Sequence, residues 1–234
     1  HREKTNSYKW DKYSEEVLPL WVADMDFTGA PAIREALHRL AEFNVIGYSR
    51  TPDELVEVIC QRLWERHQWE IQPEWIVWLP GMIPGLHAAS LSLGYAQAGV
   101  MTSTPVYRPF LEAASRPNRH LIDVPFQWKN ERWEMDFAQM EAKITPDTRL
   151  YMLCNPHNPN GRMFDAEELG KLADFCTKHD LLICSDEIHC DLIIDASKKH
   201  RSIASLSPTI ADRTITLLAP SKAFNIAGLG CSFA

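Results

Sequence analysis

The chain has 234 residues, 45% of them hydrophobic and 24% charged, and a formal net charge of −7. That balance excludes disordered and collagen-like chains and leaves room for one large domain or two small ones. The acidity argues against nucleic acid or an anionic membrane as a partner, since polyanions are not drawn to an acidic chain. No run approaches the roughly 18–20 apolar residues of a spanning helix. The opening His1-Arg2-Glu3-Lys4 also lacks the apolar stretch of a signal peptide, so the expectation is a cytoplasmic protein away from the membrane.

In chain order, residues 1–28 are polar and aromatic without helical periodicity, and the reading is an arm or extended edge. Ile33, Ala36, Leu37, Leu40 and Ala41 recur at helical spacing and predict a helix over about Pro31 to Phe43. Thr51-Pro52-Asp53-Glu54 reads as a helix start with threonine as cap, proline at the first helical position and glutamate at the box position. That helix should reach about Trp69. From residue 76 onward short apolar runs alternate with longer amphipathic segments: Ile76–Leu79, Val100–Ser103, Leu121–Val124, Leu150–Cys154, Leu181–Ser185 and Thr214–Leu218. Such alternation predicts a three-layer α/β/α fold with a mostly parallel sheet. The clearest helix runs from Asp165 to Lys178, with Asp165 as cap, Glu168 at the box position and Leu169, Leu172, Ala173 and Cys176 as its buried stripe. Six cysteines (Cys60, Cys154, Cys176, Cys184, Cys190, Cys231), with no C-x-x-C pair, read as reduced thiols.

Ligands of open α/β sheets bind beyond the carboxyl ends of the strands, so polar residues just after the apolar runs are the candidates. They are Gly81-Met82-Ile83, Asn155-Pro156-His157-Asn158-Pro159, Asp186-Glu187-Ile188-His189 and Ser221-Lys222. Each alone has a plain reading as a turn, a chain break or a solvated lysine. A metal site at Asp186-Glu187-x-His189-x-Asp191 is disfavoured and no metal is expected, because adjacent side chains on a strand point to opposite faces. His157, His179, His200 and the eight tryptophans read as core or surface residues.

Taken in order, these motifs resemble the fold-type I pyridoxal-phosphate enzymes. The strings T-P-V-Y-R-P-F (104–110), C-N-P-H-N-P-N-G-R (154–162), S-D-E-I-H-C-D-L (185–192) and A-P-S-K-A-F-N-I-A-G-L (219–229) look most like the cystathionine β-lyase branch, the MalY/PatB group. W-V-A-D-M-D-F (21–27) and V-I-G-Y-S-R (45–50) agree with it, so the resemblance runs from about Thr5 to Ala234.

The resemblance implies pyridoxal 5'-phosphate as cofactor. Lys222 would hold it covalently and later move the substrate's α-proton. Asp186 would keep the ring nitrogen protonated, which makes the ring an electron sink. Asn158 would donate to the phenolic oxygen and Tyr107 would stack on the ring. The phosphate would rest on the backbone N–H groups of Met82 and Ile83, aided by the Ser221 hydroxyl. Tyr48 matches a tyrosine that reaches the phosphate of the neighbouring subunit, so the resemblance implies a homodimer.

Several positions depart from the wider family pattern. His189 stands where many aminotransferases carry tyrosine, and could reach the phenolic oxygen or simply fill the space. Gly230 replaces an arginine that clamps the phosphate, and Asn160 replaces a threonine. The implied activity is C–S β-elimination on cystathionine, cysteine or a related S-substituted amino acid, giving pyruvate, ammonia and a thiol. The rivals are an aminotransferase and an inactive binding or regulatory protein on the same fold. The expected organisation is an N-terminal arm at 1–28 and a cofactor-binding large domain at 29–234, incomplete at its C-terminal end and lacking the smaller domain that follows in the family.

Overall fold

The computed structural model describes residues 2–94, 97–115 and 118–234. Its elements are α1 (Pro31–Phe43), α2 (Asp53–His67), β1 (Trp78–Leu79), α3 (Met82–Leu91), β2 (Gly99–Thr104), α4 (Arg108–Ser115), β3 (His120–Pro125), β4 (Gln127–Lys129), β5 (Arg132–Glu134), α5 (Phe137–Lys143), β6 (Thr148–Cys154), α6 (Ala166–Lys178), β7 (Leu182–Asp186), α7 (Pro208–Ala211), β8 (Thr214–Leu217) and β9 (Ser232–Phe233). All six apolar runs become strands. Five of them form one parallel sheet in the order β3-β2-β6-β7-β8. β9 extends it in the antiparallel sense through the paired backbone bonds of Leu218 and Phe233, each 2.9 Å, and β1 pairs with β9.

Side-chain alternation along the strands builds the three layers. On β6, Tyr151 and Leu153 turn toward α6 and meet its buried Leu169, Leu172 and Cys176, together with Met101 and Ile183 from neighbouring strands. Leu150 and Met152 turn the other way, against Leu86 and Ala89 of α3 and Phe110 and Ala113 of α4. α3 lies close on the sheet because Gly85 has no side chain: a Cβ there would fall 2.9 Å from Leu79 Cδ1 and 3.1 Å from Leu217 Cδ2. This contact sets the N-terminus of α3 beside the ends of β7 and β8.

The capping box of α6 is present, with Asp165 Oδ1 accepting from the backbone N–H groups of Glu167 (3.0 Å) and Glu168 (2.9 Å). The expected Thr51 cap on α2 is not. Pro52 occupies the cap position in an extended conformation, and no side chain caps the helix. Thr51 is thereby one residue too early, and the acidic first turn of Asp53 and Glu54 is left to complement the helix dipole.

The arm folds as a series of turns rather than as an edge strand, gathered around Asp26, which accepts from Arg2 (3.0 Å), Lys9 (2.8 Å) and the Trp10 indole (2.7 Å). α1 buries none of its residues against the described residues, so its stripe of Leu37, Leu40 and Phe43 is left exposed among them. Among the described residues, no helix is long and apolar enough to cross a membrane.

Candidate active site

The crevice forms where the carboxyl ends of β6, β7 and β8 meet α3 and the segment leading into α4. Asp186 closes β7 and is buried; its Oδ1 accepts from Ile188 N–H at 3.1 Å, and among the described residues no cation forms an ion pair with it. Burial pushes its carboxyl up to about 7, with the nearby charge of Lys222 pulling the other way. Lys222 lies half-buried in the turns after β8, and its charge is also felt by His189, which burial first and Lys222 second hold below the usual histidine range. Tyr107 is raised by burial and then by the charge of Asp186. These mutual effects bring Asp186, Lys222, His189 and Tyr107 into one site.

Asn158 joins through its backbone, whose carbonyl accepts from Tyr107 N–H at 3.0 Å, while its own N–H lies 3.4 Å from Cys154 Sγ. The Thr104–Pro105, Asn155–Pro156 and Asn158–Pro159 peptides bordering this wall are cis. Met82 and Ile83 open α3, where Gly81 occupies the cap position and no side chain takes up the first N–H groups. Ser221 precedes Lys222 in the same half-buried turn. Tyr48 is not brought to the crevice by its own chain; its side chain is fully exposed.

Two features escaped the sequence reading. Asn225, three residues past Lys222, uses its whole carboxamide on the arm: Oδ1 accepts from Met25 N–H at 2.9 Å, and Nδ2 donates to Met25 O at 3.0 Å and Phe27 O at 3.2 Å. Behind Asp186, Glu187 is enclosed by Ser185, Ser202 and His200. The string S-D-E-I-H contained Glu187 but gave no sign of partners 13 and 15 residues downstream.

A parallel sheet with this crevice at its carboxyl edge defines a protein of the aminotransferase fold. The sequence profile "Aminotransferase class I and II" matches residues 15–234, and the chain belongs to that family. Among curated relatives it is 39% identical to cystathionine beta-lyase PatB of Bacillus subtilis, over 97% of this chain and 60% of that protein. Among solved structures, a PLP-bound putative aminotransferase from Clostridium difficile is 43% identical with a TM-score of 0.94, covering 100% of this chain and 61% of the other. Cystalysin from Treponema denticola, which contains a pyridoxal 5'-phosphate cofactor, is 36% identical with a TM-score of 0.93, again covering 100% of this chain and 61% of the other. The chain thus spans about 60% of the length of the relatives it matches.

Proposed function

We propose that the protein is a pyridoxal-phosphate-dependent C–S β-lyase acting on cystathionine, cysteine or a related S-substituted amino acid. The observation that carries the reading is the buried Asp186, unpaired with any cation among the described residues and facing the same crevice as Lys222. A carboxylate removed from water calls for a positive partner, and a protonated ring nitrogen fits that need. The free N–H groups at the start of α3 suit a phosphate equally well. The residues present therefore fit pyridoxal phosphate.

When bound, the cofactor supplies an aldehyde for an amine and a ring that accepts electrons from the substrate α-carbon. Lys222 would supply the amine that holds it, and the same amine would be the base that takes the α-proton. Asp186 holds the proton on the ring nitrogen. Asn158 would donate to the phenolic oxygen, Tyr107 would pack on the ring face, and Met82, Ile83 and Ser221 would receive the phosphate. His189 stands beside Lys222 and Asp186, where a ring kept neutral can donate or accept a hydrogen bond.

Aminotransfer is the second reading, favoured by the likeness to the Clostridium difficile structure at 43% identity. The intact protein incubated with cystathionine and no keto acid should release thiol and pyruvate continuously. Glutamate from alanine plus 2-oxoglutarate, without thiol from cystathionine, would establish the aminotransferase instead.

The active unit in this reading is a homodimer in which Tyr48 completes the neighbour's phosphate site, and the unpartnered stripe of α1 supports such an assembly. Intact Tyr48→Phe and Lys222→Ala proteins, each impaired alone, should regain activity when unfolded and refolded together. One site of the mixed dimer then has both residues. Absence of recovery, in a mixture shown to contain the hybrid, would remove Tyr48 from the neighbour's site.

A further inference from the structure

A second buried carboxylate stands directly behind the first. Glu187 follows Asp186 at the end of β7, and because successive side chains of an extended segment point to opposite sides, it enters the interior as Asp186 faces the crevice. Glu187 is 1% exposed. Its Oε1 accepts from Ser185 Oγ at 2.9 Å and Ser202 Oγ at 2.9 Å, and its Oε2 lies 2.7 Å from His200 Nε2. Its backbone is tied as firmly: the N–H donates to Leu217 O on β8, and the carbonyl accepts from Cys190 N–H in the turn that carries His189, each at 2.9 Å. Such complete hydrogen bonding is what allows a carboxylate to remain charged away from water.

The state of His200 decides whether that charge is cancelled. Its side chain is fully enclosed, Nδ1 has no hydrogen-bond partner among the described residues, and the His67 ring stands edge-on at 5.2 Å. An imidazolium here would bury a second N–H with nothing to accept it. The neutral ring with its proton on Nε2 donates to Glu187 and leaves only a lone pair unmatched. In that arrangement the pair carries only the charge of the carboxylate.

The other charged and titratable groups around it do not cancel that charge. From α2, His67 is held below the usual range chiefly by burial, while Arg62 is paired with Asp191 at 2.8 Å and Arg66 lies 3.7 Å from the same carboxylate. Burial pushes the Cys190 and Cys154 thiols upward, which keeps them neutral. His189 and Lys222 lie on the crevice side, facing Asp186.

We propose that Glu187, held by His200, Ser185 and Ser202, is a positioning residue for the reaction: it fixes the turn that carries Asp186 and His189 and places its negative charge behind Asp186. The inference rests on the assignment of Asp186 to the ring nitrogen of pyridoxal phosphate. Burial already raises the proton affinity of Asp186, and Glu187 acts in the same direction. The result is a stronger acceptor for the ring proton, and a cofactor whose own protonation is favoured by the charge behind it.

The test compares the intact wild type, Glu187→Gln and His200→Gln, each reconstituted with pyridoxal phosphate, by pH titration of the visible absorption of the bound cofactor. Glutamine keeps the shape and, through its Oε1, the serine bonds, removes the charge, and lets its amide donate to the His200 ring in the other neutral tautomer. The midpoint in Glu187→Gln should fall by about one pH unit, as expected for loss of one charge on the neighbouring residue in a poorly screened interior. In His200→Gln it should stay with the wild type, because the amide still donates to Glu187 and no charge is lost. An unmoved midpoint in Glu187→Gln overturns the proposal, and so does a rise of the midpoint in His200→Gln, which would mean that His200 carried a compensating positive charge. If Glu187→Gln fails to fold, 15N NMR of the histidines in the wild type decides. The neutral Nε2–H form of His200 at neutral pH supports the proposal, and an imidazolium there overturns it. A wild type with no cofactor band would sink the cofactor reading as well, an outcome distinct from a band whose midpoint ignores the substitution.

Discussion

Borohydride treatment of the intact protein carrying pyridoxal phosphate should fix the cofactor to Lys222 alone, and Lys222→Ala should lower turnover by about 10³-fold or more. The size follows from the two tasks of one amine: it holds the cofactor ready for exchange, and it is the base for the α-proton, a role worth about 10²–10⁴ by itself. The choice of lysine follows from place. Lys222 lies in the half-buried turn beyond β8, where its charge reaches both Asp186 and His189. Lys9, another enclosed lysine, is committed to Asp26 and the Asp24 carbonyl in the arm. Peptide mapping that finds the label on any other lysine, or a Lys222→Ala protein with near wild-type turnover, would defeat the assignment.

Asp186→Asn should move activity and stability in opposite directions. With cofactor bound, the variant loses the carboxylate that holds the ring proton, and turnover should drop about 100-fold or more, as for other preorganised electrostatic groups. Without cofactor the sign reverses. Burial lifts the Asp186 carboxyl from 3.8 to about 7, so folding disfavours its ionised form. Its contribution to stability is whole below the unfolded value near pH 4 and is lost as pH rises through about 7. Asparagine cannot ionise, and above that window it should stabilise the cofactor-free protein by up to roughly 4 kcal/mol, while at pH 4 the two proteins should differ little. Thermal melts of cofactor-free protein at both pH values read this directly. Equal melting temperatures at pH 8 would mean that the carboxylate is already compensated, and the argument for a cation-seeking site would fall with it.

The sheet was legible because each strand is a short apolar run bounded by polar residues, and α1 and α6 because their apolar residues keep the helical period. The α2 cap was misread since the Thr-Pro-Asp-Glu string fits a capping box in letters, whereas the extended Pro52 shifts the start by one residue. The β4–β5 hairpin has short strands, Gln127–Lys129 and Arg132–Glu134, too brief for a period to emerge. Asp186, Asn158, His189 and Lys222 could be picked out as candidates because topology collects whatever follows the strands at one edge. Glu187, His200 and Asn225 could not, because what defines them is a partner far away in sequence, and no local pattern records it. The exposure of Tyr48 and of the α1 stripe was equally unreadable, since an amphipathic helix looks the same whether its partner lies in its own chain or in another.

The bonds from Asn225 to Met25 and Phe27 bear on how the crevice matures. They join residues up to 200 positions apart, among the longest loops this chain closes, and contacts of such separation form late because the loop entropy must first be met. On the ribosome, residues 25–27 emerge long before Asn225 exists, and at the usual ~5–20 residues per second they wait for about ten seconds or more. The sheet can assemble in that interval without them. The turn bearing Lys222 acquires its outer support only when this earlier-made segment returns to meet it, so a nascent or circularly permuted chain can hold a native-like sheet while its crevice is still unfinished.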